Sequence, residues 1–291
     1  MKSTRSEWAA VRCLFESPIL DDHKWAKIPS IPADAFILDL EDSVPVTRKE
    51  EARAKVVEYL GKPDYFNGAL TVPRCNHLET PWGRDDLIAF AEAGAEVVMY
   101  PKTNKAEDVT EVVALLAEHG ATCKVLTSIE SAKGVLNAAE IFAHPDVVAS
   151  TFGSGDLHVD MHIPLYDETG EINPGLVYSK SRTVLAAAAH EVPLLGIAYL
   201  LNIKDQAEAL RRIQFERLLG FTGLCAFYPP HVELINQTFS PSSEEIERAR
   251  TIVEVYEAAV AEGNPAVQLP NGEALLVHDY KESQHVLARA R

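Results

Sequence analysis

Ala35-Phe36-Ile37-Leu38-Asp39-Leu40-Glu41-Asp42 is the stretch whose reading decides the fold. A short, almost unbroken apolar run suits a strand buried on both faces, and it ends abruptly in three acids. The same unit recurs. Apolar or β-branched runs at 12–16, 69–74, 96–101, 123–129, 147–152, 194–200 and 224–228 each end in polar residues, and helical patterns alternate with the runs. Val109, Val112, Val113 and Leu116, at i, i+3, i+4 and i+7, place one apolar stripe on the helix after the fourth run. Phe215, Leu218 and Leu219 mark another, closed by Gly220. Strand and helix alternating in this order imply a parallel sheet. Eight units match an α/β (β/α)8 barrel better than a doubly wound sheet, whose first crossover is rich in glycine.

The alternation stops near Phe239, so a barrel is expected over 1–239 and a C-terminal helix and arm over 240–291. Ser242 as N-cap with Glu245 three residues later forms a capping box, and Ile246, Ala249, Val253, Tyr256 and Val260 make the stripe behind it. Such an arm packs on its own barrel, lies over the site as a lid, or contacts another subunit.

Composition narrows the partners. The 291 residues are 47% hydrophobic, which requires a sizeable packed core and excludes disorder. Lys plus Arg number 27 against 43 Asp plus Glu, a net charge of −16 that repels nucleic-acid phosphates and anionic membrane surfaces. Arg211-Arg212, the densest basic run, sits among acids. The first fifteen residues carry charge too often to hold a signal peptide's apolar centre. The longest apolar stretch, 192–203, falls short of the roughly 20 residues a membrane helix needs. Cys13, Cys75, Cys123 and Cys225 form no CxxC pair, which fits four buried thiols in a reducing cytoplasm.

In a (β/α)8 barrel the chemistry gathers at the C-terminal strand ends. Glu130 and Asp156 close adjacent strands and suit Mg²⁺, or Mn²⁺, which takes hard oxygen ligands and completes its sphere with water and substrate. The alternative is that each carboxylate caps the helix after its strand. Arg74 has the fork geometry to bind a carboxylate or enolate oxygen, or to pair with Glu41 or Asp42. Lys102 is a point charge suited to balancing the carboxylates. Gly153-Ser154-Gly155 lacks a phosphate-loop context and reads as a tight turn, and His158 as a loop residue.

Several blocks carry a resemblance. Asp39-Leu40-Glu41-Asp42-Ser43-Val44 with Arg48, Lys49, Ala52 and Arg53 resembles the acidic motif of the citrate lyase beta-subunit-like family. Pro73-Arg74-Cys75-Asn76 with Thr80-Pro81-Trp82-Gly83 and Asp85-Asp86-Leu87 is similar to its Arg-x-Asn block. Pro101-Lys102, Ile129-Glu130-Ser131, Phe152-Gly153-Ser154-Gly155-Asp156-Leu157, Leu219-Gly220-Phe221-Thr222-Gly223 and Phe239-Ser240-Pro241 follow in the family's order, so the likeness spans about 12–260.

The resemblance implies carbon–carbon lyase or aldolase chemistry on 3-hydroxy acids or their coenzyme A thioesters, a divalent metal, and a homo-oligomer, trimer or hexamer. It implies Glu130 and Asp156 as Mg²⁺ ligands and Arg74, Asp42 and Glu41 as catalytic residues. Arg74, Lys102 and Gly155 would contact the small carboxylic acid or acyl-CoA substrate. Departures stand beside it. Tyr228 occupies the place of a family histidine, the run at 194–200 lacks the usual acid, and Asp279 lies three residues beyond the spacing of the family's C-terminal aspartate. Glu16 stands where relatives commonly have an apolar residue, and an acid there disfavours an anionic coenzyme tail. The leading expectation is a lyase. Hydrolysis of a malyl-type thioester and a non-catalytic ligand-binding barrel are the rivals.

Overall fold

The computed structural model describes residues 4–263, 267–269 and 271–290. Two compact units divide between Asn236 and Gln237. In the first, eight parallel strands close a barrel: β1 (Cys13–Glu16), β2 (Ala35–Asp39), β3 (Leu70–Arg74), β4 (Val97–Tyr100), β5 (Lys124–Ile129), β6 (Val147–Phe152), β7 (Leu194–Ile197) and β8 (Gly223–Ala226). Each pairs with the next, and β8 returns to β1 through Leu14↔Cys225 and Phe15↔Ala226. All eight expected strands are present. The last two stop short of the apolar runs that announced them, at Ile197 and Ala226, because the chain there leaves the ladder to form the rim.

Among the described residues the α-helices of this unit are α1 (Arg5–Ala9), α2 (Asp22–Trp25), α3 (Lys49–Leu60), α4 (Gly83–Glu92), α5 (Ala106–Glu118), α6 (Ala132–Ala143), α7 (Ser154–Asp160), α8 (Pro174–Ala189), α9 (Gln206–Leu219) and α10 (Pro230–Phe239), which runs on past Asn236. No helix among the described residues is long and apolar enough to cross a membrane.

The barrel interior is a packed core in which Leu14, Ala35, Ile37, Val72, Val97, Met99, Leu126, Ala149 and Leu195 meet Trp8 and Val11. Trp8 rides on α1, which Arg5 fastens by donating to the carbonyls of Val147 at 2.9 Å and His190 at 2.6 Å. That end is therefore sealed by an indole and a clamped guanidinium, and the opposite end is left for chemistry.

Two sequence readings need correction. Gly153-Ser154-Gly155 is not an isolated tight turn, since Gly153 is the N-cap of α7 and the helix begins at Ser154. On α9 the buried residues are Ala209, Arg212, Ile213 and Glu216, whereas Phe215 is 37% and Leu218 85% exposed. The period was right and the phase wrong, because Arg212 and Glu216, each paired with an opposite charge, fill the inner face. Gly220 ends this helix as expected, at φ 101°.

The second unit holds α11 (Ser243–Ala261), a two-stranded antiparallel ribbon of β9 (Val267–Gln268) and β10 (Ala274–Leu275), and α12 (Val277–Arg289). The Ser242–Glu245 capping box is formed, a device contributing about 1 kcal/mol. Ile252, Val267, Leu269 and Leu275 make its small core, with Val255, Tyr256 and Ala259 packed against them. The stripe on α11 thus passes through Ile252 and Val255 rather than Val253, and Val260 is 60% exposed.

Candidate active site

Side chains in a strand alternate between faces, so the face that supplies the core also supplies whatever stands at the strand's end. Leu14 is followed on its face by Glu16, Ala35 and Ile37 by Asp39, Leu70 and Val72 by Arg74, and Leu126 by Ser128 and then Glu130. The uppermost interior layer is therefore ionic, built on an apolar floor.

Arg74 is the centre of that layer. Its Nε donates to Asp39 Oδ1 at 2.5 Å and its Nη2 to Glu16 Oε1 at 3.0 Å, and Nη1 lies 3.5 Å from Glu41 Oε2. Asp39 is fully buried and saturated: Oδ1 also accepts from the Glu41 N–H, and Oδ2 from the Ser43 N–H and hydroxyl. Burial alone would raise the Asp39 pKa, but the charge of Arg74 and these hydrogen bonds hold it below the usual range. Glu16 differs. Burial pushes it up to about 7, with the charges of Asp39, Asp42 and Glu41 adding and Arg74 opposing.

A second group lies beside the first. Lys102, at the left-handed φ of 48°, turns its backbone N–H onto Glu130 Oε1 at 2.7 Å. Its ammonium reaches Glu41 Oε1 at 2.5 Å and stands 3.8 Å from Asp156 Oδ2. Burial acts to lower the Lys102 pKa, but the hydrogen bond to Glu41 and the charges of Glu41, Glu130 and Asp42 outweigh it and raise it. Glu130 is nearly buried, and burial, then the charge of Glu41, lifts it to about 7.

Neighbouring residues hold this geometry. The buried Lys49 ammonium donates to the carbonyls of Leu40 and Glu41 and to Asn76 Oδ1, at 2.6, 2.7 and 2.7 Å, tying the end of β2 to the end of β3. Asn76 is fixed in turn by Asp86, which accepts from its N–H and side-chain amide and from Arg53. Tyr199 Oη accepts from the Gly155 N–H at 2.9 Å. Burial raises the Tyr199 pKa, with Glu130 and Asp156 adding, so the phenol keeps its proton. Glycine is required at 153: a Cβ there would lie 2.7 Å from Glu130 Oε2.

Arg74, Glu41, Lys102, Glu130 and Asp156 are linked into one chain of contacts. Glu130 does not cap the helix after its strand, since Ser131 does so by accepting from the Gly134 N–H. Arg74 pairs with Glu41 as the alternative reading held, but its shorter bonds go to Asp39 and Glu16, and Asp42 is exposed without a side-chain hydrogen bond or ion pair among the described residues. Gly155 offers its N–H to Tyr199. His158 lies within α7 rather than in a loop, and its ring bonds the Ile163 carbonyl at 3.0 Å. Asp279 accepts from the Leu276 N–H and caps its own helix.

Sequence reasoning missed Asp39 as the anchor of Arg74, Glu16 as its partner, and Tyr199. The alternation of Ala35, Ile37 and Asp39 carried the signal for the first. Nothing local marked Tyr199.

A cation would find suitable donors here. Glu130 and Asp156 are hard oxygen ligands, the missing Cβ of Gly153 leaves room beside Glu130, and the Lys102 ammonium shows that positive charge is held at this place. No cluster of three or more His, Cys, Asp or Glu side chains arranged for a metal occurs among the described residues, so water and substrate would supply the remaining positions.

Comparison with known proteins bears on the family and the fold. Residues 18–229 match the family model described as HpcH/HpaI aldolase/citrate lyase. The chain is 35% identical over 238 residues to a (3S)-malyl-CoA thioesterase of Cereibacter sphaeroides, covering 81% of this chain and 80% of that protein. It is 30% identical over 267 residues to the citrate lyase subunit beta of Escherichia coli K12, covering 89% and 86%. The crystal structure of CitE from Mycobacterium tuberculosis with magnesium, acetoacetate and coenzyme A superposes with a TM-score of 0.79 at 26% identity, over 97% of this chain and 99% of that one. An eight-stranded barrel with an ionic rim, matched over most of its length by such relatives, belongs to the HpcH/HpaI aldolase/citrate lyase family.

Proposed function

We propose that this protein is a Mg²⁺-dependent carbon–carbon lyase acting on a small 3-hydroxy acid or its coenzyme A thioester. The observation that carries the reading is the junction of Arg74 with the Glu41–Lys102–Glu130–Asp156 group on one rim. Glu130 and Asp156 would hold the Mg²⁺, which when bound supplies Lewis-acid stabilisation of developing oxygen charge. Arg74 binds the carboxylate of the oxo acid and stabilises the carbonyl or enolate oxygen through aimed N–H groups. Glu41, held between Arg74 and Lys102, fixes both cations in place. Asp42, exposed after β2, would serve as the base that takes the hydroxyl proton as the carbon–carbon bond breaks, or would position a water there.

The magnesium, acetoacetate and coenzyme A bound to the Mycobacterium CitE are of the classes this rim would take. Glu16 is turned onto Arg74, so its charge is partly offset and the sequence argument against a coenzyme A thioester loses its force. An exposed Leu218 beside Val177 and Phe215 supports self-association, and the reading carries a cytoplasmic homo-oligomer.

A second reading, hydrolysis of the thioester, is favoured by the likeness to (3S)-malyl-CoA thioesterase. One assay separates them. With malyl-CoA and Mg²⁺, a lyase releases glyoxylate and acetyl-CoA without free thiol; a hydrolase releases free thiol and malate without glyoxylate. Neither product across free acids and thioesters, with Mg²⁺-dependent oxo-acid binding intact, would mean a binding barrel.

Gly153→Ala tests the seat of Glu130. The new Cβ would meet Glu130 Oε2 at 2.7 Å and Glu130 Cβ at 2.8 Å, displacing the carboxylate. Turnover should fall about 10- to 100-fold, with about 1–3 kcal/mol lost to overpacking. Wild-type kinetics in this variant would refute the placement.

A further inference from the structure

Arg74 offers five N–H donors and is met by three carboxylates that are not equivalent. Asp39 accepts four hydrogen bonds and none of its side chain is exposed. Glu41 is shared with the Lys102 ammonium. Glu16 accepts one bond, from Arg74 Nη2 to Oε1, and among the described residues its Oε2 accepts none. A quarter of the Glu16 side chain is exposed, against 11% for Arg74 and 10% for Glu41. Whatever reaches the guanidinium through its Nη2 side therefore meets Glu16.

With every carboxylate ionised, one guanidinium faces three negative charges, and Lys102 offsets only the one on Glu41. An anionic ligand at Arg74 would then lie against a carboxylate that shares its only cation with Asp39 and Glu41, a repulsion felt at short range in a largely buried layer. A proton on Glu16 removes that repulsion and turns an acceptor into an O–H donor aimed beside Nη2. We propose that Glu16 is a substrate-binding residue that acts as a carboxylic acid, donating its proton in a hydrogen bond to an oxygen of the bound oxo-acid anion next to Arg74. Binding then draws one proton from solvent, and no covalent bond is made or broken. The inference rests on Arg74 as the anchor of an oxo acid.

The groups facing Glu16 are Arg74 from β3, Asp39, Glu41 and Asp42 from β2 and its loop, and Cys225 from β8, whose thiol burial keeps protonated. Glu16 makes no hydrogen bond or ion pair to Glu130 or Asp156 among the described residues. Its elevation to about 7 is consistent with ready protonation near neutrality.

The test is calorimetric titration of the full chain with pyruvate at saturating Mg²⁺, from pH 6 to 9, in two buffers of different ionisation enthalpy. Wild type should take up close to one proton at pH 8, and its Kd should rise about tenfold per pH unit on the alkaline side. Glu16→Gln should bind with a Kd that no longer follows pH and with no proton uptake, and Glu16→Met should also lose the uptake should the amide fail to fold. Pyruvate binding by wild type without proton uptake, or uptake retained in either variant, would overturn the role of Glu16. Absence of Mg²⁺-dependent pyruvate binding at every pH in every protein would instead overturn the reading of Arg74 and the rim.

Discussion

Glu130→Gln and Asp156→Asn are each expected to abolish Mg²⁺-dependent turnover while leaving the barrel folded. Each substitution keeps the shape of the side chain and removes the charge that would hold the cation. Glutamine at 130 can still accept from the Lys102 N–H, and Asp156, with a 47% exposed side chain, makes no side-chain hydrogen bond among the described residues whose loss would unfold α7. Loss of the cation and its charge stabilisation should reduce kcat/KM by about 10³-fold or more, on the order of 4 kcal/mol in the transition state. Steady-state kinetics with and without chelator, beside circular dichroism and thermal melts, would check this. Full activity of either variant in chelator would exclude the metal site.

The largest effect on stability is expected from the Lys180–Glu216 pair. Lys180 on α8 donates to Glu216 on α9, and their side chains are 0% and 3% exposed. The Lys180 ammonium also lies 5.9 Å from the centroid of Phe221. Glu216→Ala leaves a buried ammonium without its counter-charge, which costs about 3–5 kcal/mol. A barrel of this size should then melt roughly 10 °C lower. Replacing both partners, Lys180→Met with Glu216→Leu, should recover most of the loss, because two desolvated charges are exchanged for apolar packing. Urea unfolding of the three proteins measures it. A single variant within 1 kcal/mol of wild type would show that the pair is not energetically coupled to the fold.

The same pair shows why parts of the molecule were illegible in sequence. Lys180 and Glu216 are the residue types of solvated helix faces. Glu216 and Arg212 fill the inner face of α9 because each finds an opposite charge, Glu216 that of Lys180 on α8, so Phe215 and Leu218 are turned outward against the apolar reading. Pairing across helices is not a periodicity, and no window of one helix reveals it. The strands were legible because burial on both faces leaves unbroken apolar runs, and because the polar residues that end them are conspicuous. Arg74, Glu41, Lys102, Glu130 and Asp156 could be named from those ends. Tyr199 could not, since it acts through the N–H of Gly155, forty-four positions earlier.

What the sequence determined by itself was the alternation, hence the parallel barrel, and the set of ionisable residues at its rim. Both follow from chain-local facts: a period of two along each strand, an apolar run, and the residue that ends it. Only the tertiary structure decided which carboxylate belongs to which cation. Asp39 rather than Asp42 anchors Arg74, Glu16 turns inward to share it, and Lys102 joins Glu41 to Glu130 and Asp156. Those choices depend on closure. Bringing β1, β2 and β3 side by side places Glu16 and Asp39 around the guanidinium of Arg74, and the strength of each contact then follows from burial and distance, quantities that a linear order of residues does not contain.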